Sequence, residues 1–110
     1  NIFMINIDDF KKVEIKIGKI ISAETIPEGT KLLKLKVDFG AETRQIMSGI
    51  AMYFPDPSVL VGKLMPFVTN LETRTMLGYE SQGMIMASDS PDGPVMLHPE
   101  RDVPPGSMLK

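Results

Sequence analysis

Lys31, Lys34, Lys36 and Arg44 fall within fourteen residues of one another and are opposed there only by Asp38 and Glu42. Cations at this density supply the salt-sensitive, sequence-blind attraction by which lysine and arginine hold phosphate. Alternating lysines on a half-exposed strand also serve as a solvated face that discourages edge pairing, and taken alone the pattern favours that plainer use. The rest of the chain offers little for catalysis. Acid–base and nucleophilic chemistry near neutral pH draws on histidine, cysteine or paired carboxylates, and the chain has one histidine, His98, and no cysteine. His98 stands between a short apolar segment and a proline turn, without a second histidine or a carboxylate pair beside it, and reads as a turn residue satisfying backbone groups. Neither a glycine-rich phosphate loop nor a carboxylate-rich calcium loop occurs. No catalytic residue, metal or cofactor is expected.

The elements that hold this cluster must come from one small domain. A chain of 110 residues, 43% apolar and 24% charged, has room for one core spanning residues 1–110. Without cysteine it cannot be stapled by disulfides, which fits a cytoplasmic home. No run approaches the roughly 20 apolar residues of a spanning helix, and the start lacks a signal-peptide layout, so no membrane partner is expected. Met4 could be a natural start, with Asn1 to Phe3 a vector remnant or the end of a preceding domain. The net charge of -2 and pI near 5.3 argue against nucleic-acid binding by bulk electrostatics. The charge is split, however. Residues 1–45 hold eight Lys/Arg against seven Asp/Glu, and residues 46–110 four against seven, so a local positive face on an acidic protein is possible.

Val13 to Ile17 alternate apolar and charged, as a strand with one wet face must. Gly18 then predicts a bulge or sharp coil before the strand resumes. Pro27-Glu28-Gly29 predicts a turn, and Leu33 to Asp38 a second strand with Leu33, Leu35 and Val37 inside and Lys34 and Lys36 outside. Thr43 to Ser48 makes a third strand. A loop with one helical turn is expected before Gly62, a fourth strand over Leu64 to Thr69 whose Pro66 places it at an edge or start, and a fifth over Gly83 to Ala87. Asp8-Asp9 should cap a short helical turn. The proline-rich remainder leaves space for short extra strands at Val95 to Leu97 and at the C-terminus. The expectation is an all-β, five-stranded Greek-key OB-fold barrel with a short helical insertion, although a small sandwich fits the pattern alone.

Four segments, in order and spacing, resemble the tRNA-binding domain family: Lys31-Leu32-Leu33-Lys34-Leu35-Lys36-Val37-Asp38-Phe39-Gly40, Arg44-Gln45-Ile46-Met47-Ser48-Gly49-Ile50, Asn70-Leu71, and Ser81-Gln82-Gly83-Met84-Ile85-Met86-Ala87. That family includes C-terminal domains and beta chains of methionyl-tRNA synthetases and free-standing tRNA-binding proteins. The resemblance implies a non-catalytic module that binds tRNA, pairs as a homodimer, and serves a methionyl-tRNA synthetase catalytic domain in cis or in trans. It implies that Lys31, Lys34 and Arg44 contact phosphate and that Asn70, Ser81 and Met84 lie on the RNA-facing surface, with Lys36 beside them on the second strand. The departure is aromatic: the chain has no tryptophan, and Phe39 is the sole aromatic residue near the second and third strands, so base stacking there is expected to be thin. Secretion-related chaperone-like proteins share the barrel and supply the alternative reading, a protein-interaction module. The Ser48-Gly49-Ile50 and Ser81 to Met84 segments fit the tRNA-binding branch better.

Overall fold

The computed structural model describes residues 3–110. A single helical turn, α1 (Ile7–Phe10), precedes the strands; its cap is Asn6, whose side chain accepts from the Asp9 amide at 2.8 Å. Asp8 and Asp9 lie inside the turn instead of capping it, where their charges face its free amides.

Five strands form the main sheet in the order β3-β2-β1-β4-β7: β1 (Ile15–Ile26), β2 (Gly29–Asp38), β3 (Thr43–Ser48), β4 (Leu64–Val68) and β7 (Met84–Ile85). Strong alternation in β2 sets the core side. Leu33, Leu35 and Val37 are fully buried and meet Ile20, Ile46, Met65 and Phe67, with the Phe39 and Phe67 rings edge-to-face at 5.5 Å. Two 3-10 turns, Ala51–Tyr53 and Pro57–Leu60, fill the expected helical insertion between β3 and β4. The second is started by Asp56, whose carboxylate accepts from the Ser58 amide, and it drives Leu60 into the core.

Two further local expectations need correction. The bulge at Gly18 is absent, because Gly18 pairs in register with Met65 and the irregularities in β1 fall between Ile20 and Ser22 and between Thr25 and Ile26. Gly18 is needed for space: a methyl there would sit 2.5 Å from Val37 Cγ1 and 2.7 Å from the Phe39 ring. Pro66 is neither at the edge nor at the start of β4, which lies between β1 and β7. Its carbonyl accepts from the Met86 amide, so its missing N–H also faces the side on which two-residue β7 has already ended.

The expected fifth strand divides at Met86. Its first part is β7; its second, β8 (Ala87–Ser90), forms a hairpin with β9 (Gly93–Met96), which takes the place of the short strand expected at Val95 to Leu97. A further hairpin, β5 (Arg74–Met76) with β6 (Tyr79–Ser81), has no counterpart in the sequence reading. The tail adds its own pairing along β1, the Ile17 amide donating to Ser107 and the Leu109 amide to Ile15. Among the described residues no helix is long and apolar enough to cross a membrane.

Candidate nucleic-acid interface

The sheet curls until its first and last strands meet, and side chains complete the seam. The Gln82 amide donates to the Gln45 carbonyl at 2.8 Å, and the Gln45 amide donates back to the Gln82 side chain at 3.2 Å. Ser81, only 3% exposed, accepts from the Met47 amide and donates to the Gly83 carbonyl. Gly83 permits the close approach, since a methyl there would meet the Val68 carbonyl oxygen at 2.9 Å. Arg44 lies at the same seam: its guanidinium donates to Glu42, to the Thr69 carbonyl at 2.5 Å and to the Gln82 carbonyl at 3.2 Å, with the Phe39 ring beneath it. Asn70 clasps the N-terminal segment, accepting from the Glu14 amide and donating to the Lys12 carbonyl. Beside it the Thr69 hydroxyl donates to the Glu14 carboxylate at 2.6 Å, and this bond, against the opposing effect of burial and with help from Lys16, holds that carboxyl below its ordinary range.

Three of the sequence-expected residues, Arg44, Asn70 and Ser81, are therefore committed within the protein. The other four reach the surface. Lys34 and Lys36 project from the outer face of β2, where Ser22 and Glu24 of β1 and Gln45 of β3 are their register neighbours. Lys34 is half-buried and ion-paired with Glu24 at 3.7 Å; Lys36 is exposed, as is Lys31 near the β1–β2 turn. Met84, half exposed on β7, borders a hollow floored by Met47 and edged by Leu71, Arg74 and Met76.

The β5–β6 hairpin brings residues that the strand reading missed. Gln45 Nε2 donates to the Glu80 carbonyl at 2.9 Å, and the Tyr79 ring lies 5.7 Å from the Lys34 ammonium. The Tyr79 hydroxyl donates to Glu28 at 2.8 Å, which raises its pKa above the usual phenol value. An aromatic side chain thus does stand at the cationic face, delivered from 45 residues downstream of Lys34. His98 lies in the irregular segment after β9 and not in a turn, and its Nδ1 is 2.9 Å from the Leu64 carbonyl oxygen, a backbone partner as expected.

Taken together, the outer β2–β3 face presents lysines, amide groups, a tyrosine and a methionine-lined hollow beside the seam, without an acid–base or nucleophilic pair. Residues 15–108 match the family model of the putative tRNA binding domain. The chain belongs to that family. A methionine--tRNA ligase of Methanoregula boonei is 50% identical over 107 residues, covering 97% of this chain and 16% of the ligase. The chain thus spans about a sixth of the length of such relatives. The crystal structure of a MetRS related protein from Pyrococcus horikoshii superimposes with a TM-score of 0.90 at 39% identity, over 97% of this chain and 98% of that one. Chaperone CsaA from Bacillus anthracis superimposes at 0.86 with 25% identity, over 97% of this chain and 99% of that one.

Proposed function

We propose that the domain binds tRNA through the outer face of β2 and β3 and supplies it to a methionyl-tRNA synthetase, as a domain or as a separate subunit. The observation that carries this is the pairing of the family match with Lys34 and Lys36 projecting from the outer face of β2, Lys31 and Met84 also being exposed, while Arg44, Asn70 and Ser81 brace the seam beside that face. The strand order and the curl of the sheet support an OB-fold reading, in which the face of strands two and three binds oligonucleotides. Lysine ammonium groups supply attraction to the backbone, and the thioether of Met84 offers a polarisable surface to an unstacked base. Recognition of this kind reads RNA shape, and its setting is cytoplasmic.

The working form is a homodimer. An apolar groove of about 360 Å³ runs between the tail and the sheet, lined by Ile17, Pro66, Leu97, Val103, Met108 and Leu109. Met4, Ile5, Ile7 and Phe10 of the N-terminal arm are exposed as well; Asn1 and Ile2 of that arm lie outside the described residues. Apolar strips of this kind mark partner surfaces, and a two-fold axis would set two modest RNA faces side by side. The same groove is what favours the second reading, a protein-interaction module like the CsaA chaperone. A gel shift with total tRNA separates the two: retarded tRNA is expected, and its absence together with suppressed aggregation of a client protein would favour the chaperone reading. Sedimentation of the isolated chain should give about twice 12.2 kDa at tens of micromolar, and a 12.2 kDa species would sink the dimer.

A further inference from the structure

Leu77 is the one non-glycine residue with positive φ among the described residues, at 51°, and its side chain is 58% exposed. It occupies the tip of the β5–β6 hairpin with Gly78, and both residues hold left-handed backbone as a two-residue turn of the I′ kind requires. Asparagine, aspartate or glycine meets that requirement at lower cost, and a leucine side chain pointing into water returns nothing to folding. A strained, exposed apolar residue at an otherwise well-tied turn points to a contact outside the domain.

The hairpin is fixed where such a contact would need it. Tyr79–Glu28, Gln45–Glu80 and Met47–Ser81 bonds tie it to the β1–β2 turn and to β3. On its inner face Arg74, exposed and without an ion pair among the described residues, overhangs the hollow that Met84 borders. The carboxylates nearby, Glu28, Glu72 and Glu80, keep the finger from adding net positive charge, so its contribution must come largely from contact and shape.

We propose that the β5–β6 hairpin is a rigid finger carrying a second RNA contact, in which Leu77 packs on an unstacked base or ribose and Arg74 holds phosphate. This rests on the tRNA-binding reading and extends it beyond the β2–β3 face. The test is equilibrium binding of total tRNA to the full chain at several salt concentrations, with thermal melts of each variant. Leu77→Asn and Leu77→Gly both suit left-handed backbone and should melt at or above the parent temperature. Both should bind about five-fold more weakly at every salt concentration, as half-burying a leucine implies. Arg74→Gln should weaken binding and lower the log–log salt slope by roughly 0.7–0.9, the value of one phosphate contact. Parent binding with unchanged affinity in both Leu77 variants would overturn the finger and leave the β2–β3 face standing. A parent chain that binds no tRNA at low salt would overturn both.

Discussion

Replacing Leu35 by lysine should unfold the domain. Leu35 is fully buried at the middle of β2, packed in the core that Ile20, Ile46 and Phe67 share. Removing the leucine costs about 2–5 kcal/mol, and placing an unpaired ammonium in that core adds several more. The sum rivals the roughly 5–15 kcal/mol that holds a domain of this size together. Far-ultraviolet circular dichroism of Leu35→Lys should lack the strand signal and the cooperative melt of the parent. A parent-like melt would mean that β2 does not run through the core as described.

The neighbouring positions should behave in the opposite way. Lys34→Glu combined with Lys36→Glu should leave the fold intact while weakening tRNA binding on the order of a hundredfold at low ionic strength, since two attractive charges become repulsive toward phosphate. Both side chains leave the outer face of β2, and Lys34 already sits opposite Glu24, 3.7 Å away. Reversal creates a like-charge pair there at a cost of about 1 kcal/mol on a half-exposed strand, which the fold can bear. Circular dichroism and a binding isotherm on the same preparation decide the matter. A folded double variant with parent affinity would move the RNA to another face.

The contrast between Leu35 and its two neighbours was legible in the sequence because period-two alternation needs no knowledge of what lies across the sheet. Gly18 shows where such reading ends. A glycine in a strand pattern serves either a bulge or a close approach, and only the Val37 and Phe39 atoms lying against it tell which. The β5–β6 hairpin was hidden for a related reason: its turn is Leu77-Gly78, and leucine is not a residue that announces left-handed backbone. At the candidate site, the outward lysines followed from alternation. The roles of Arg44 and Asn70 did not, because their partners Thr69 and Glu14 lie 25 and 56 residues away in the chain. The segments that carry the family resemblance therefore include residues that close and brace the sheet as well as residues exposed on its outer face.

Titration of tRNA with the isolated chain at two or more salt concentrations tests the central claim most directly. In the proposed reading Lys31, Lys34 and Lys36, with one or two further cations such as Arg74, are the groups that contact phosphate. Binding of about micromolar strength or weaker is expected, with a log–log slope matching roughly three to five released ions per binding face. No binding at low salt, or a slope matching ten or more ions per face, would contradict the cationic face proposed for β2 and β3.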